Sequence, residues 1–282
     1  MVILDGKALS AKIKEEVRVE VAEFVKNEQI TPGLAVVLVG SDPASATYVN
    51  SKHKSCEAAG IYSEVHTKDE TTTQEELLAL IENMNNNPKL DGILVQLPLP
   101  KHIDTRTILE AINPLKDVDG FHPYNVGKMV SNLDSFLPAT PFGVMRMFEE
   151  YGIELSGKNA VVIGSSDIVG KPMASLLINA KATVTVCNSR TKDLKAHTKD
   201  ADIVVIAVGV PHLLKADMIK DGAVVIDVGI NRLDTGKLTG DADFDDCKDK
   251  CSFITPVPGG VGPMTIAMLL KNTLLACKRK NA

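Results

Sequence analysis

The sequence predicts an α/β protein of two α/β domains, the second of which is a Rossmann-like, doubly wound parallel sheet. The chain has 282 residues, which suggests about two domains at the usual size of roughly 150 residues each. Segments rich in Val and Ile recur between stretches with helical patterning, which is typical of βαβ units. Two of these segments precede residue 100, and five lie between residues 160 and 254.

The predicted strands are the apolar runs that Gly or Pro residues bound. They are Gly33–Val39 and Gly92–Gln96 in the first group, and Ala160–Gly164, Thr183–Cys187, Ile203–Val208, Val224–Val228 and Ser252–Ile254 in the second. The predicted helices that connect them are Ser10–Lys26, 43–59, Gln74–Asn83, Pro141–Glu150, Lys171–Asn179 and Met264–Lys278. The close spacing of the five later strands is typical of a doubly wound sheet.

The domain boundary is expected between Asp119 and Pro141, where Gly and Pro recur without strong periodicity. The helix at the end of the chain is apolar enough to pack back across the first domain. We therefore predict a discontinuous first domain of residues 1–140 plus 263–282, and a second domain of residues 141–262.

Composition excludes several classes of protein. The chain has 31 basic and 36 acidic residues, a net charge of −5, and no dense basic block, so nucleic acid is not an expected partner. An odd number of cysteines, five, favours reduced thiols in a cytoplasmic protein. The first apolar run is too short for a signal peptide and no run approaches membrane-spanning length. The histidines show no metal-ligand spacing, so no metal is expected.

A lysine interrupts the apolar face of the helix predicted over 43–59. At ~100° per residue, this lysine, Lys52, falls within the single apolar stripe, whose other members are Ala44, Tyr48, Val49, Cys56 and Ala59. One interpretation is a packed stem whose amine reaches water. The other is that Tyr48 and Lys52 line a cleft, where desolvation lowers the pKa of the lysine and supplies a neutral amine as a base.

Two polar residues of the first domain are candidates for the same site. Gln96 is the polar residue at the end of an apolar strand, before the stiff Pro98-Leu99-Pro100 exit, and it either lines a site or lies at the surface. Asp119 precedes Gly120 and either pairs with N–H donors of a heterocycle or caps the turn. From the residues alone, the turn cap is the favoured role of Asp119.

A nucleotide site is predicted in the second domain. The segment from Val161 to Pro172 reads as a buried strand, a turn containing Gly164, Ser165 and Ser166, and a helix start, and this arrangement aims backbone N–H groups at a phosphate. Its Gly-x5-Gly spacing differs from the dinucleotide fingerprint, so a plain βα turn is the alternative. After the next strand, Ser189 and Arg190 stand where NAD sites carry an acid, which favours the 2′-phosphate of NADP over NAD.

A glycine-rich loop leads into the last helix. The segment from Pro256 to Thr265 contains three glycines and exposes backbone amides beside a helix N-terminus. Such a loop is costly to order unless a ligand or a neighbouring domain braces it.

An ordered set of motifs resembles one family over essentially the whole chain. The family is the bifunctional methylenetetrahydrofolate dehydrogenase/methenyltetrahydrofolate cyclohydrolases. The motifs are Tyr48-x3-Lys52, the Asp91-to-Pro100 run, Lys116-Asp-Val-Asp-Gly-Phe-His-Pro123, Pro138-Ala-Thr-Pro141, the Gly164-to-Pro172 turn and Pro256-Val-Pro-Gly-Gly-Val-Gly-Pro-Met-Thr265. Ser165 and Asn188 depart from the family's commoner residues at the adenosine end.

The resemblance implies oxidation of 5,10-methylenetetrahydrofolate with NADP⁺ and hydrolysis of the methenyl product to 10-formyltetrahydrofolate. Both reactions would share one cleft between the two domains of the chain. The resemblance also implies that the protein is a homodimer. It implies that Lys52 is the general base, that Gln96 hydrogen-bonds it, that Tyr48 stacks on the folate and that Asp119 binds the pterin. By the same resemblance, Pro258 and Gly259 lie near the substrate, and the NADP contacts are Gly164, Ser165, Ser166, Ser189, Arg190 and Ile230.

Two other functions are compatible with parts of this pattern. One is a dehydrogenase, dependent on NAD or NADP, that lacks hydrolytic competence. The other is a non-catalytic protein that binds folate or NADP. The joint presence of Tyr48, Lys52, Gln96 and Asp119 argues against both, because a chain without the chemistry has no need of a lysine in an apolar stripe.

Overall fold

A computed structural model describes residues 1–281 of the chain. Residues 1–281 form, in chain order, eleven strands and ten α-helices. They are β1 (Val2–Ile3), α1 (Gly6–Glu28), β2 (Gly33–Val39), α2 (Pro43–Ala58), β3 (Tyr62–Lys68), α3 (Gln74–Asn86), β4 (Gly92–Val95), α4 (Thr105–Ala111), α5 (Pro123–Val130), α6 (Ala139–Glu150), β5 (Asn159–Ile163), α7 (Gly170–Asn179), β6 (Thr183–Cys187), α8 (Leu194–Thr198), β7 (Ile203–Ile206), β8 (Val224–Asp227), β9 (Asn231–Arg232), β10 (Leu238–Thr239), α9 (Phe244–Cys247), β11 (Phe253–Ile254) and α10 (Val261–Lys280).

The chain divides into two compact units. The three-stranded unit consists of Ala11–Lys128, Asp134–Ala139 and the C-terminal segment from Ile266 onward. The six-stranded unit consists of Met1–Ser10, Met129–Leu133 and Thr140–Thr265. Each unit has a parallel sheet of its own, so the predicted α/β class is confirmed.

The three-stranded unit is built on the sheet β3-β2-β4, in which both neighbours of β2 run parallel to it. The central strand is buried along its whole length, and α3 and α4 cover it with Leu77, Ile81 and Ile108. The chain passes from β2 to β3 on one side and then returns to β4 on the other. The carboxyl ends of β2 and β4 therefore flank a reversal of strand order, which is where open parallel sheets bind ligands.

The six-stranded unit contains the parallel sheet β1-β11-β8-β7-β5-β6. The chain moves from β5 outward to β6 and then returns to β7 on the other side of β5. This order makes the sheet doubly wound, as predicted, and places its switch point at the carboxyl ends of β5 and β7. The core beneath this edge includes Val161, Ile163, Val204 and Ile206.

The N-terminal segment corrects the predicted domain division. The prediction gave residues 1–140 to the first domain, whereas Met1–Ser10 belong to the six-stranded unit. The reason is pairing between strands, because the Val2 amide donates to the Ser252 carbonyl at 2.7 Å and the Leu4 amide to the Ile254 carbonyl at 2.9 Å. A two-residue strand has too short a pattern to be found from sequence.

The segment between Asp119 and Pro141 also differs from expectation. It contains a helix, α5, where the sequence showed no strong periodicity. Met129–Leu133 group with the six-stranded unit, where the Asn179 side chain donates to the Met129 carbonyl at 2.8 Å. The terminal helix α10 is anchored in the three-stranded unit, because the Asn272 side chain donates to the carbonyls of Val118 and Leu137.

All the predicted strands and helices are present, and their ends differ from prediction by up to four residues, the largest difference being Ser10 against Gly6 at the start of α1. One long strand, β3, was missed. It pairs only with β2 and is an edge strand whose residues are exposed or half-buried. Its sequence, Tyr-Ser-Glu-Val-His-Thr-Lys, therefore lacks the Val and Ile run on which the prediction depended.

Candidate functional site

Local sequence places Lys52 on the buried face of α2. The Asp42 carboxylate accepts a hydrogen bond from the Ser45 amide at 2.7 Å, Pro43 occupies the first turn, and Gly60 follows the helix with φ +77°. The buried residues of the helix are Ser45, Val49, Lys52 and Cys56. Two members of the predicted apolar stripe are not buried: Ala44 is exposed and Tyr48 is 40% exposed. The buried face of the helix includes Ser45 in their place.

The Lys52 amine is held on Gln96. Lys52 is only 8% exposed, and its Nζ donates to Gln96 Oε1 at 3.0 Å. Gln96 is fixed in turn, because its Nε2 donates to the Leu97 carbonyl at 2.7 Å and its amide donates to the Val37 carbonyl at 2.8 Å. The amine therefore does not reach water by extending along the surface, and Gln96 contacts it instead of facing solvent.

Asp119 lies near this pair because the segment before it runs beside β4. Asp117 and Ile93 form an isolated parallel β-bridge, in which the Ile93 amide donates to the Lys116 carbonyl at 2.8 Å. That register carries Asp119 towards the end of β4, where Gln96 follows. Asp119 is partly buried, and among residues 1–281 its carboxylate has no hydrogen-bond partner.

The turn cap favoured for Asp119 is instead made by Asp117. Its carboxylate accepts from the amides of Phe121 at 3.2 Å and His122 at 2.9 Å, and from Asn125 Nδ2 at 2.8 Å. The favoured interpretation of Asp119 was therefore wrong. Asp117 was not among the predicted site residues. Alternate residues of an extended segment share a face, so the Asp-Val-Asp spacing indicates that Asp117 and Asp119 lie on the same side of the chain.

Burial and charge shape the ionisation of this cluster. Burial lowers the pKa of the Lys52 amine, while the negative charge of Asp119 acts to raise it. Burial raises the pKa of Asp119, and the positive charge of Lys52 opposes that shift. Burial also raises the pKa of Asp117, to about 7, against the effect of its three hydrogen bonds. A desolvated amine beside an unpartnered carboxylate is suited to proton transfer and to binding N–H donors.

The predicted nucleotide turn follows β5 at the switch point of the six-stranded sheet. Gly164 has φ +120°, and a Cβ there would lie 2.4 Å from the Ala207 carbonyl oxygen, so only glycine fits. Ser166 Oγ accepts from the amides of Val169 at 3.2 Å and Gly170 at 3.3 Å. Val169, the residue before α7, gives the helix no side-chain cap, but Ser166 accepts from the first two amides of α7 through its Oγ and its carbonyl. The helix therefore offers an anion the positive end of its dipole and not free N–H groups of its first two residues.

The other predicted cofactor residues lie at the carboxyl ends of neighbouring strands. Ser189 and Arg190 are exposed just after β6, where the Arg190 amide donates to Asn188 Oδ1 at 2.9 Å. Within residues 1–281 the Arg190 guanidinium has no hydrogen-bond or ion-pair partner. Ser165 is half-buried, and Ile230, after β8, is 46% exposed. An exposed, unpaired guanidinium is suited to a phosphate group.

Pro258 and Gly259 lie in the loop before α10, which is part of the six-stranded unit. Pro258 is exposed. Gly259 has φ +107°, and its carbonyl accepts from the Lys7 amide at 2.9 Å. The structure thus brings Lys52, Gln96 and Asp119 together in one unit and holds the loop residues in the other.

Within residues 1–281, no three or more His, Cys, Asp or Glu side chains are grouped so as to hold a metal ion. Over the same residues, no helix is long and apolar enough to cross a membrane. All five cysteines are buried free thiols.

Comparison with known families decides the relationship. The model of the tetrahydrofolate dehydrogenase/cyclohydrolase catalytic domain matches residues 4–119. The model of the NAD(P)-binding domain of the same family matches residues 138–281. This chain belongs to the tetrahydrofolate dehydrogenase/cyclohydrolase family. The resemblance found in the sequence is thereby confirmed.

Individual members of the tetrahydrofolate dehydrogenase/cyclohydrolase family match along the whole chain. The "bifunctional protein FolD" of Aliarcobacter butzleri is 82% identical over 278 residues, which are 99% of this chain and 97% of that protein. The crystal structure of the bifunctional FolD methylenetetrahydrofolate dehydrogenase/cyclohydrolase from Campylobacter jejuni has a TM-score of 0.97 at 56% identity, covering 99% of each chain.

A third relative was solved with ligands. It is the Trypanosoma brucei methylenetetrahydrofolate dehydrogenase-cyclohydrolase, in complex with NADP cofactor and an inhibitor. Its TM-score is 0.96 at 40% identity, covering all of this chain and 98% of that one.

Proposed function

We propose that this chain is a bifunctional enzyme of folate one-carbon metabolism. It oxidises 5,10-methylenetetrahydrofolate to the methenyl form with NADP⁺ and hydrolyses the methenyl form to 10-formyltetrahydrofolate. The observation that carries the proposal is the buried Lys52 amine held on Gln96 near an unpartnered Asp119. The relatives described as bifunctional support both activities.

In the hydrolytic step, water adds to the electrophilic methenyl carbon as its C=N π bond breaks, and the water must lose a proton. The adduct then opens by breaking the bond between this carbon and N5, which takes up a proton, while the hydroxyl loses its proton to become the formyl oxygen on N10. The neutral Lys52 amine keeps one N–H on Gln96 Oε1 and accepts the proton of the attacking water on its lone pair. Because burial lowers the pKa of Lys52, a larger fraction of the amine is neutral at a given pH than for an exposed lysine. A placed base typically accelerates such a step about 10²–10⁴-fold.

The substrate contacts are assigned by type of group. Asp119 offers a carboxylate without a partner in the described chain, which suits the paired N–H donors of a pterin. Tyr48 stands one helical turn before Lys52 and is 40% exposed, so its ring is accessible for stacking on the folate. We also assign Pro258 and Gly259 to substrate contact, on the strength of the family motif that they share.

NADP fits the residues of the six-stranded unit. The Gly164 turn leaves no room for a Cβ, the positive end of the α7 dipole follows that turn, and the Arg190 guanidinium is exposed without a partner in the described chain. When bound, NADP⁺ supplies the acceptor for the hydride. Gly164, Ser165, Ser166, Ser189, Arg190 and Ile230 would bind and orient it. Orientation is the main need here, because the methylene carbon is already activated by two folate nitrogens.

A spectrophotometric assay in two parts tests both activities. Methylenetetrahydrofolate is supplied with NADP⁺ or NAD⁺ and the reduced nicotinamide is followed; methenyltetrahydrofolate is then supplied alone and its decay is followed. We expect reduction that is faster with NADP⁺, and decay above the buffer rate. Absence of reduction with both cofactors contradicts the dehydrogenase, and decay at the buffer rate leaves a monofunctional dehydrogenase. Absence of both reactions leaves a binding protein.

Two further properties are part of the proposal. We place the enzyme in the reducing cytoplasm, because five buried thiols without disulfides suit that compartment. We expect a homodimer, which rests on the family resemblance. Sedimentation equilibrium on the purified chain measures its mass, and a monomer at micromolar concentration contradicts the second expectation.

A further inference from the structure

Two buried carboxylates lie near the carboxyl ends of the strands of the six-stranded sheet, where NADP is proposed to bind. The proposed chemistry uses neither of them. Asp227 is the last residue of β8 and is 3% exposed. Asp241 follows β10 and is fully buried. Buried carboxylates are costly unless hydrogen bonds satisfy them. Their partners therefore indicate what they are for.

Asp241 holds two loops. Its Oδ2 accepts from the amides of Val208 at 2.7 Å and Gly209 at 3.0 Å, which follow β7. Its Oδ1 accepts from Asn231 Nδ2 at 2.8 Å, which follows β8. One carboxylate thus ties together the chain after two neighbouring strands.

Asp227 accepts hydrogen bonds from the loop after β8 and from the backbone around Asp241. Its Oδ1 accepts from the amides of Gly229 and Asp241, both at 3.0 Å, and its Oδ2 accepts from the amide of Ala242 at 2.8 Å. All three donors are backbone N–H groups. Asp227 therefore fixes both the start of the loop after β8 and the backbone that carries Asp241.

Two glycines pack directly on these carboxylates. A Cβ on Gly229 would lie 2.2 Å from Asp241 Cγ, and one on Gly240 would lie 1.8 Å from Asp227 Oδ2. No side chain can be added at either position without displacing a carboxylate. The loops are thus seated against the two acids by both hydrogen bonding and close packing.

The loops that Asp241 holds are those that shape the proposed cofactor site. At the turn after β5, a Cβ on Gly164 would lie 2.4 Å from the Ala207 carbonyl oxygen and 3.5 Å from Val208 Cγ1. The loop after β7 therefore forms the surface against which the nucleotide turn rests. The loop after β8 carries Ile230 between two residues that the acids hold, because the Gly229 amide donates to Asp227 and the Asn231 side chain donates to Asp241.

We propose that Asp241 and Asp227 are positioning residues for the nucleotide. By fixing the chain after β7 and β8 before the cofactor arrives, they reduce the ordering cost that binding of NADP must otherwise meet. Neither carboxylate touches the cofactor in this role. The inference rests on the proposed function, because NADP is the ligand whose affinity it explains.

The two acids respond differently to amide substitution. Asp241→Asn keeps an oxygen for the Val208 and Gly209 amides, and Asn231 can rotate its amide to present an oxygen to the new NH₂ group. Asp227→Asn has no such remedy, because its three donors are backbone N–H groups and one of them must face an NH₂ group. Asp241→Leu removes every acceptor at similar size.

The experiment measures NADP⁺ affinity by titration calorimetry, hydrogen exchange of the amides at 207–210, and the KM for NADP⁺ with kcat at saturation. We expect Asp241→Leu and Asp227→Asn to weaken NADP⁺ binding at least about tenfold, the effect of losing one charge-assisted hydrogen bond or more. Exchange at 207–210 should accelerate, and KM should rise more than kcat falls. Asp241→Asn should restore affinity to within about threefold of wild type.

Val225→Ala is the matched control, because it removes buried volume from β8 without touching the loops. It should lower the unfolding temperature and leave NADP⁺ affinity unchanged. Unchanged affinity in Asp241→Leu, or equal weakening in Val225→Ala, overturns the inference and leaves the proposed function intact. A wild-type chain that binds NADP⁺ without oxidising the folate overturns the proposed function, and the affinity comparison still decides the role of the two acids.

Discussion

The chemistry of the site depends on one buried lysine. Lys52 and Lys54 lie two residues apart on α2, yet Lys52 is buried and Lys54 is exposed. Burial lowers the pKa of Lys52 because its charged form loses water. Lys54 is the matched control for any test of the amine, since it shares the helix and the side chain but not the environment.

Lys52→Met should abolish the decay of methenyltetrahydrofolate while leaving folate binding largely intact. The reason is that methionine keeps most of the apolar stem and loses the proton acceptor. We expect the rate to fall by about 10²-fold or more, as for loss of a general base. Decay is followed by absorbance and folate binding by fluorescence quenching. Lys54→Met should behave as wild type, and unchanged decay in Lys52→Met contradicts the assignment of the base.

Asp119→Asn should move the pH dependence of hydrolysis towards acid. Asp119 raises the pKa of Lys52 through its negative charge, so its neutralisation lets that pKa fall further. The rate depends on neutral amine and rises with pH through the pKa of Lys52. Its rising limb must therefore shift to lower pH in the variant, even where the maximal rate drops because pterin binding is weakened.

The measurement is the initial rate of methenyltetrahydrofolate decay at saturating substrate over a range of pH. Glu75→Gln, an exposed carboxylate in the first turn of α3, is the control and should leave the limb in place. A limb that stays at the wild-type pH in Asp119→Asn, or moves towards base, shows that the two charges are not coupled.

At the scale of elements, the turn between β5 and α7 determines whether the nucleotide can bind. Gly164→Ala places a methyl group where the Ala207 carbonyl oxygen lies and forces L-residue backbone to φ +120°. We expect the turn to shift and the KM for NADP⁺ to rise at least about tenfold, since strain of this kind costs on the order of 1–3 kcal/mol. Hydrolysis of methenyltetrahydrofolate, which needs no NADP⁺, should persist.

The control for this prediction is Gly152→Ala, because Gly152 also has positive φ, +63°, but an added Cβ has open space around it. It should cost some stability and leave the KM for NADP⁺ unchanged. Equal KM values for wild type and Gly164→Ala indicate that the turn does not contact the cofactor.

Elements with strong local patterns were predictable, and those that depend on a partner were not. The helix α2 begins at Pro43 behind the Asp42 cap, both of which are visible in the sequence. By contrast, β1 and β3 exist because of their neighbours: β1 has two residues on β11, and β3 is a half-polar edge strand on β2. A strand of two residues, or an edge strand that is half polar, buries too little to leave an apolar pattern. The edge strand β4, by contrast, is buried along its length and was predicted.

At the scale of the whole molecule, a buried acid links stability to pH. The pKa of Asp117 is raised by burial to about 7 in the folded chain, above its value in an unfolded chain. The folded state therefore holds the proton more tightly, and this contribution to stability is complete below about pH 4 and is lost as pH rises towards 7. The free energy of unfolding should fall over that range by an amount on the order of a few kcal/mol.

Asp117→Asn should flatten this dependence, because asparagine does not titrate. The test compares unfolding temperatures at pH 5 and pH 7.5 in wild type and variant. Loss of a hydrogen bond lowers both values in the variant, so the informative quantity is their difference. A difference equal to that of wild type shows that Asp117 does not titrate in this range.

The sequence by itself determined the α/β class, the strands that are buried on both faces, the caps of α2 and the family to which the chain belongs. These follow from local patterns and ordered motifs that need no knowledge of distant contacts. Only the tertiary structure decided that Met1–Ser10 join the six-stranded unit, that Asp117 and not Asp119 caps the turn, and that Asp227 and Asp241 hold the loops after β7 and β8. Each of these depends on hydrogen bonds between residues whose pairing is set by strand order and register, which a local pattern does not contain.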